Sequence, residues 1–75
     1  MEPYKNLGGA SAVVAYEMGN DFVKVQFRDG WIYTYTHESA GQGNVEHMKT
    51  LASAGSGLNS FISTVVKEQY ASKSR

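Results

Sequence analysis

In FVKVQF, residues 22–27, Val23, Val25 and Phe27 alternate strictly with Lys24 and Gln26, and the strand-forming run WIYTYT over 31–36 follows after only Arg28-Asp29-Gly30. A link this short joins only antiparallel neighbours, because a parallel crossover needs a dozen residues or more. The turn then decides the register. A two-residue Asp29-Gly30 loop would pair Phe27 with Ile32 and set Lys24 beside Tyr35. A three-residue loop with Gly30 at the left-handed position of a type I turn plus bulge pairs Phe27 with Trp31, Val25 with Tyr33 and Val23 with Tyr35. It leaves Lys24, Gln26, Thr34 and Thr36 on the opposite face. Sorting of apolar from polar side chains sets register, so the three-residue turn is expected.

Upstream, SAVVAYE over 11–17 is rich in β-branched and aromatic residues, and MGND supplies a turn before Phe22. The first half therefore predicts a three-stranded meander. HESAGQGN over 37–44 reads as a loop. From Asn44, a plausible N-cap, the period changes to helical: Val45, Met48, Leu51 and Ala52 share one face. A second stripe runs through Leu58, Phe61, Ile62, Val65 and Gln69, with Val66 flanking it. The expected fold is α+β, a three-stranded antiparallel meander with two C-terminal helices packed on one face. Residues 1–10 are expected to be a flexible lead-in with Tyr4 or Leu7 pinned to the body, 11–70 a single domain, and 71–75 a disordered tail.

The string ASAGSGLNSFI, residues 52–62, raises the question of a phosphate cradle. A cradle needs glycines that follow a strand and open a helix, so that bare amides face the anion. Here they follow a helix, and Ser60 stands where a third glycine would complete the dinucleotide pattern. A corner is expected instead, with Gly55 closing the first helix in a left-handed cap and Ser56 capping the second. Asn59, a poor helix former in the first turn, is expected to satisfy backbone groups nearby, with ligand contact as the alternative.

Composition narrows function by exclusion. The absence of cysteine removes disulfides and thiolate chemistry. His37, Glu38 and His47 do not form a set with metal-ligand spacing, and no nucleophile motif is present, so neither an enzyme nor a cofactor or metal is expected. Seven basic and seven acidic residues cancel, which argues against a strongly basic nucleic-acid binder. No stretch has the length of a membrane span, and a cytoplasmic location is expected. Trp31, Tyr33 and Tyr35 are expected to be core beneath the helices, a stacking platform for bases being the alternative.

The order of Tyr16, VQFRDGWIYTY and SAGSGLNSFI resembles the KTSC domain, the small module found at the C-terminus of some lysyl-tRNA synthetases and also as short stand-alone proteins. The residues that carry the likeness are Ser11, Tyr16, Val25, Phe27, Gly30, Tyr33, Tyr35, Ser53, Gly55, Asn59 and Ile62. The likeness spans roughly residues 11–62. Ala54, Ser56 and Ser60 stand where basic residues often flank the corner in that family. The resemblance implies a small α+β fold and a non-catalytic binding module with weak RNA contact. Arg28, Lys49, Lys67, Lys73 and Arg75 are the candidate phosphate contacts. The competing expectation is a protein-interaction or self-associating module, a homodimer for example, that uses Phe22 and Ile32 on the outer sheet face.

Overall fold

The computed structural model describes residues 1–9 and 11–75; Ala10, the last residue of the expected lead-in, lies outside the described residues. The architecture is α+β, with one antiparallel sheet of five strands in the order β1-β2-β3-β4-β5. The strands are β1 (Glu2–Pro3), β2 (Val13–Met18), β3 (Phe22–Phe27), β4 (Ile32–Thr36) and β5 (Ser72–Ser74). Between β4 and β5 lie α1 (His37–Ala40), α2 (Gln42–Ala54), α3 (Leu58–Phe61) and a π-helical turn, Ile62–Val66.

The central hairpin has the register that side-chain sorting demands. Val23 faces Tyr35, Val25 faces Tyr33, and Gln26 faces Ile32. The Phe27 amide donates to the Trp31 carbonyl at 2.9 Å, and Gly30 has φ of +94°. In β2 the register shifts between Val13 and Ala15. The bulge sends Val13 into the core and leaves Val14 exposed, while Tyr16 still falls opposite Val25.

The expected three strands are too few, and the reason is the same at both edges. The supposed lead-in contributes β1, paired through Glu2–Tyr16 and Pro3–Ala15. The supposed tail contributes β5, paired with β4 through Ile32–Ser74, Tyr33–Lys73 and Thr34–Ser72. Both are short edge strands made of exposed residues. A strand that buries no face leaves no alternation of hydrophobicity to detect; its stabilisation is the backbone ladder itself. Tyr4, just past β1, is buried, and its hydroxyl accepts the Leu58 amide at 3.3 Å. Leu7 is held by its backbone rather than its side chain: the amide donates to the Gly55 carbonyl at 2.8 Å while the side chain is exposed.

The helical half also begins earlier than periodicity suggests. Thr36 and Ser39 form a reciprocal capping box, each side-chain oxygen accepting the other's amide at 3.0 Å, and this starts α1 inside the supposed loop. Asn44 is within α2 rather than at its N-cap, and its Nδ2 donates to the Ala40 carbonyl at 2.8 Å across the break between the two helices. Burial of Ala40, Val45, Met48 and Ala52 outweighs the poor helix propensity of the glycines and serine. The corner after α2 is structural in the way expected: Gly55, at φ +77°, closes α2, and its amide reaches the carbonyls of Ala52 and Leu51. Gly57, not Ser56, stands at the start of α3.

The last helical segment departs from the α period. The Lys67 amide donates to the Ile62 carbonyl, five residues back, at 2.6 Å. The wider turn brings Leu58, Ile62 and Val66 inward at even spacings of four, and Val65, expected on the stripe, is exposed. The core is a single cluster of Tyr4, Val13, Val23, Val25 and Tyr35 from the sheet side with Val45, Met48, Ala52, Leu58, Ile62 and Val66 from the helices. No helix among the described residues is long and apolar enough to cross a membrane.

Candidate nucleic-acid interface

Directly opposed residues in a sheet point to the same side, so the pairings locate the aromatic residues. Val23–Tyr35 and Val25–Tyr33 place both tyrosines on the helix side. Tyr33–Lys73 places Lys73 there as well. Tyr35 is fully buried. Its hydroxyl donates to the Lys67 carbonyl at 3.2 Å, and its pKa is pushed up to about 12, first by burial and then by Tyr33 and Tyr70. Trp31 and Tyr33 are only half-buried, contrary to the expectation that all three rings are core. The helix layer ends before it reaches the hairpin turn, so the same strand face passes from dry to wet along β4.

What lies at that bare end is an aromatic shelf with cations around it. Tyr33 stacks on Tyr70, ring centroids 4.9 Å apart and planes within 10°, and Phe27 leans on Tyr33 at 5.2 Å. Lys73 Nζ lies 5.2 Å from the Trp31 ring centroid and 6.0 Å from that of Tyr70; Arg75 Cζ lies 5.0 Å from Trp31. Arg28, at the turn, donates to the Ser11 carbonyl at 2.8 Å. A shallow niche next to the turn is lined by Ala12, Phe27, Arg28, Asp29 and Tyr33. One Asp29 carboxylate oxygen accepts the Trp31 amide at 3.0 Å, which fixes the turn.

Three of the five expected phosphate contacts, Arg28, Lys73 and Arg75, thus converge on one end of the sheet. The other two do not join them. Lys49 extends from α2 toward the β2–β3 turn, at the opposite end of β3, where it donates to the Asn20 carbonyl at 3.1 Å and pairs with Glu46 at 2.9 Å. His37 also meets Glu46, at 2.8 Å. The two hydrogen bonds, Lys49 first, hold the Glu46 carboxyl below its ordinary pKa. Lys67 is exposed at the end of the π turn, with φ of +45°. His47 packs its ring on Phe61, centroids 4.8 Å apart.

Phe22 and Ile32 both lie on the outer face, half-buried, but they do not form a patch. Phe22 pairs with Thr36 at one end and Ile32 with Gln26 at the other. Four residues of extended chain put them about 13 Å apart. Lys24 and Thr34 sit between, and Lys24 Nζ lies 5.8 Å from the Phe22 ring centroid.

Asn59 is where the corner differs from expectation. No hydrogen bond of its side chain is found among the described residues; it lines a polar niche of ≈ 180 Å³ with Asn6, Ser11, Ser56 and Ser60. The backbone-tying task falls to Asn6, whose Oδ1 accepts the Ser11 amide at 3.1 Å. Ser11 Oγ in turn accepts the Val13 amide at 3.0 Å.

Sequence reasoning missed Tyr70 altogether and assigned Trp31, Phe27 and Tyr33 to the interior. A signal for the first was present: Lys73 and Arg75 alternate with serines three residues after a tyrosine, which is a strand pattern with a polar face. In comparisons with known proteins, no family model, no curated protein and no solved structure matches the chain.

Proposed function

We propose that the chain is a small non-catalytic binding module of the KTSC kind, cytoplasmic, whose ligand is a nucleic acid held weakly through its phosphates. The observation that carries this reading is that Lys73 and Arg75 lie over the Trp31 ring while Arg28, held on the Ser11 carbonyl, stands at the same end of the sheet beside Phe27 and Tyr33. The ion pairs found among the described residues all involve Glu46, with His37 and Lys49. Among the described residues no ion pair is found for Arg28, Lys73 or Arg75. Arg28 and Arg75 donate to backbone carbonyls, of Ser11 and Asp29, and Lys73 and Arg75 rest on rings. A protein of zero net charge exerts no long-range attraction on a polyanion, so binding depends on this local cluster and is modest.

Three phosphate contacts on a single strand give a log–log salt slope of roughly −2. Titration of labelled single-stranded RNA from low to physiological salt measures it. The Lys73→Glu, Arg75→Glu double variant is expected to flatten the slope, whereas Phe22→Ser leaves it unchanged. Absence of binding at low salt rejects the proposal. Self-association through the outer face takes second place, because Phe22 and Ile32 are separated by polar side chains.

A further inference from the structure

The cations say what charge the ligand carries; the rings beside them say what else it has. Phe27, Tyr33 and Tyr70 form a contiguous run, with centroid separations of 5.2 and 4.9 Å, and all three are half-buried. They pack against the edge of the core without being fully covered by it. Cations border the run on both sides: Arg28 lines the niche with Phe27 and Tyr33, and Lys73 lies over Tyr70. A half-buried aromatic run with a cation at either end, Phe27 tilted 54° to Tyr33, matches a planar group between two phosphates. In a duplex the base faces are hidden in the stack, whereas an unpaired base presents its face.

Resting on the phosphate-binding reading above, we propose that the ligand is single-stranded and that one of its bases stacks in the niche over Phe27 and Tyr33, with the flanking phosphates met by Arg28 on one side and by Lys73 and Arg75 on the other. The niche has apolar walls and one carboxylate at its rim, and that carboxylate already accepts the Trp31 amide. Contact is therefore with the face of the base rather than its edge, and it tolerates any base. Trp31, the single tryptophan, adjoins the site and reports occupancy.

The test compares a ten-nucleotide oligouridylate, a strand of equal length and charge carrying abasic sites, and a duplex of equal length, all at low salt, with Trp31 fluorescence as a second readout. The intact strand is expected to bind roughly ten- to a hundredfold more tightly than the abasic strand, and to change the fluorescence. Tyr33→Ser abolishes that advantage without changing the salt slope, and Tyr33→Phe restores it. If Tyr33→Ser fails to fold, as judged by circular dichroism, Phe27→Ser read against Phe27→Tyr gives the same comparison. Equal binding of the intact and abasic strands overturns the stacking inference and leaves the phosphate-binding reading standing. Tighter binding of the duplex also overturns stacking. Failure of all three probes to bind overturns the phosphate-binding reading, and the inference falls with it.

Discussion

Tyr33 and Tyr35 stand two residues apart on β4 and face the same side of one sheet, yet they live in different media. Tyr35 is fully buried, donates to the Lys67 carbonyl where the π turn ends, and touches Tyr70 edge-on. Tyr33 is half-buried, lies flat against Tyr70, and pairs with Lys73 across the edge. Alternation along a strand decides the side on which a residue lies. It carries no information about how far along that side the next layer extends. Here the covering layer stops between the two rings, and the difference separates a core from a half-open surface.

The comparison breaks most sharply at the rings themselves. Tyr35→Ala is expected to cost about 3–5 kcal/mol in denaturant unfolding, as truncation of a buried aromatic does. Tyr33→Ala should cost less than half as much, because part of its surface is already in water. Equal losses would mean that the helix layer reaches the turn.

Two of the positive-φ glycines, Gly55 and Gly30, give a second contrast, between a crowded corner and an open turn. A Cβ on Gly55 would come within 2.6 Å of Lys5 Cβ, whereas nothing lies within 4 Å of one on Gly30. Backbone strain alone costs roughly 1–3 kcal/mol at either site, so Gly30→Ala should fall low in that range and Gly55→Ala at or above its top. Lys5→Gly should recover part of the second loss and none of the first. Thermal melting of the four variants decides it.

The Tyr35 hydroxyl sharpens the comparison through pH. Its folded pKa of about 12 is above the ordinary 10.0. The stability linked to the neutral phenol is therefore complete below pH 10.0 and is lost as pH rises toward about 12. Tyr35→Phe is expected to remove that part of the alkaline decline and, at neutral pH, to cost about 0.5–1.5 kcal/mol for the lost hydrogen bond. An unchanged alkaline limb would place the buried phenol elsewhere.

The smallest effect belongs to the far end of the sheet. Glu46, lowered from its ordinary 4.5 by Lys49 and His37, contributes stability that is present above that value and is lost as pH falls through the lowered folded value. The group is exposed, so Glu46→Gln should leave the neutral melting temperature nearly unchanged and only soften the acid limb. It should also leave RNA titrations unaltered, since Lys49 lies away from Arg28, Lys73 and Arg75.

Several parts of the molecule were legible in the residues alone. The hairpin register follows from Val23, Val25, Phe27, Trp31, Tyr33 and Tyr35 alternating around a three-residue turn with Gly30 in place, and a one-residue slip would have buried Lys24. The corner at Gly55 follows from a glycine at the end of a helical stripe, and the α+β class follows from the change of period from Asn44 onward. These are local properties, each set by residues close in the chain. What only the tertiary structure decided is where cover begins and ends. The edge strands β1 and β5 exist because β2 and β4 offer unpaired backbone, which no side-chain pattern of Glu2–Pro3 or Ser72–Ser74 announces. Val66 replaces Val65 in the core because the π turn re-spaces the helix against the sheet. The Leu7 amide reaches the Gly55 carbonyl, and Asn6 rather than Asn59 ties the entry to β2, because β1 brings the chain's beginning to the corner. Lys73 and Arg75 become neighbours of Trp31, more than forty residues away, because β5 returns beside β4. A contact between distant segments depends on the path of the whole backbone, and the interface proposed for this chain is made of such contacts.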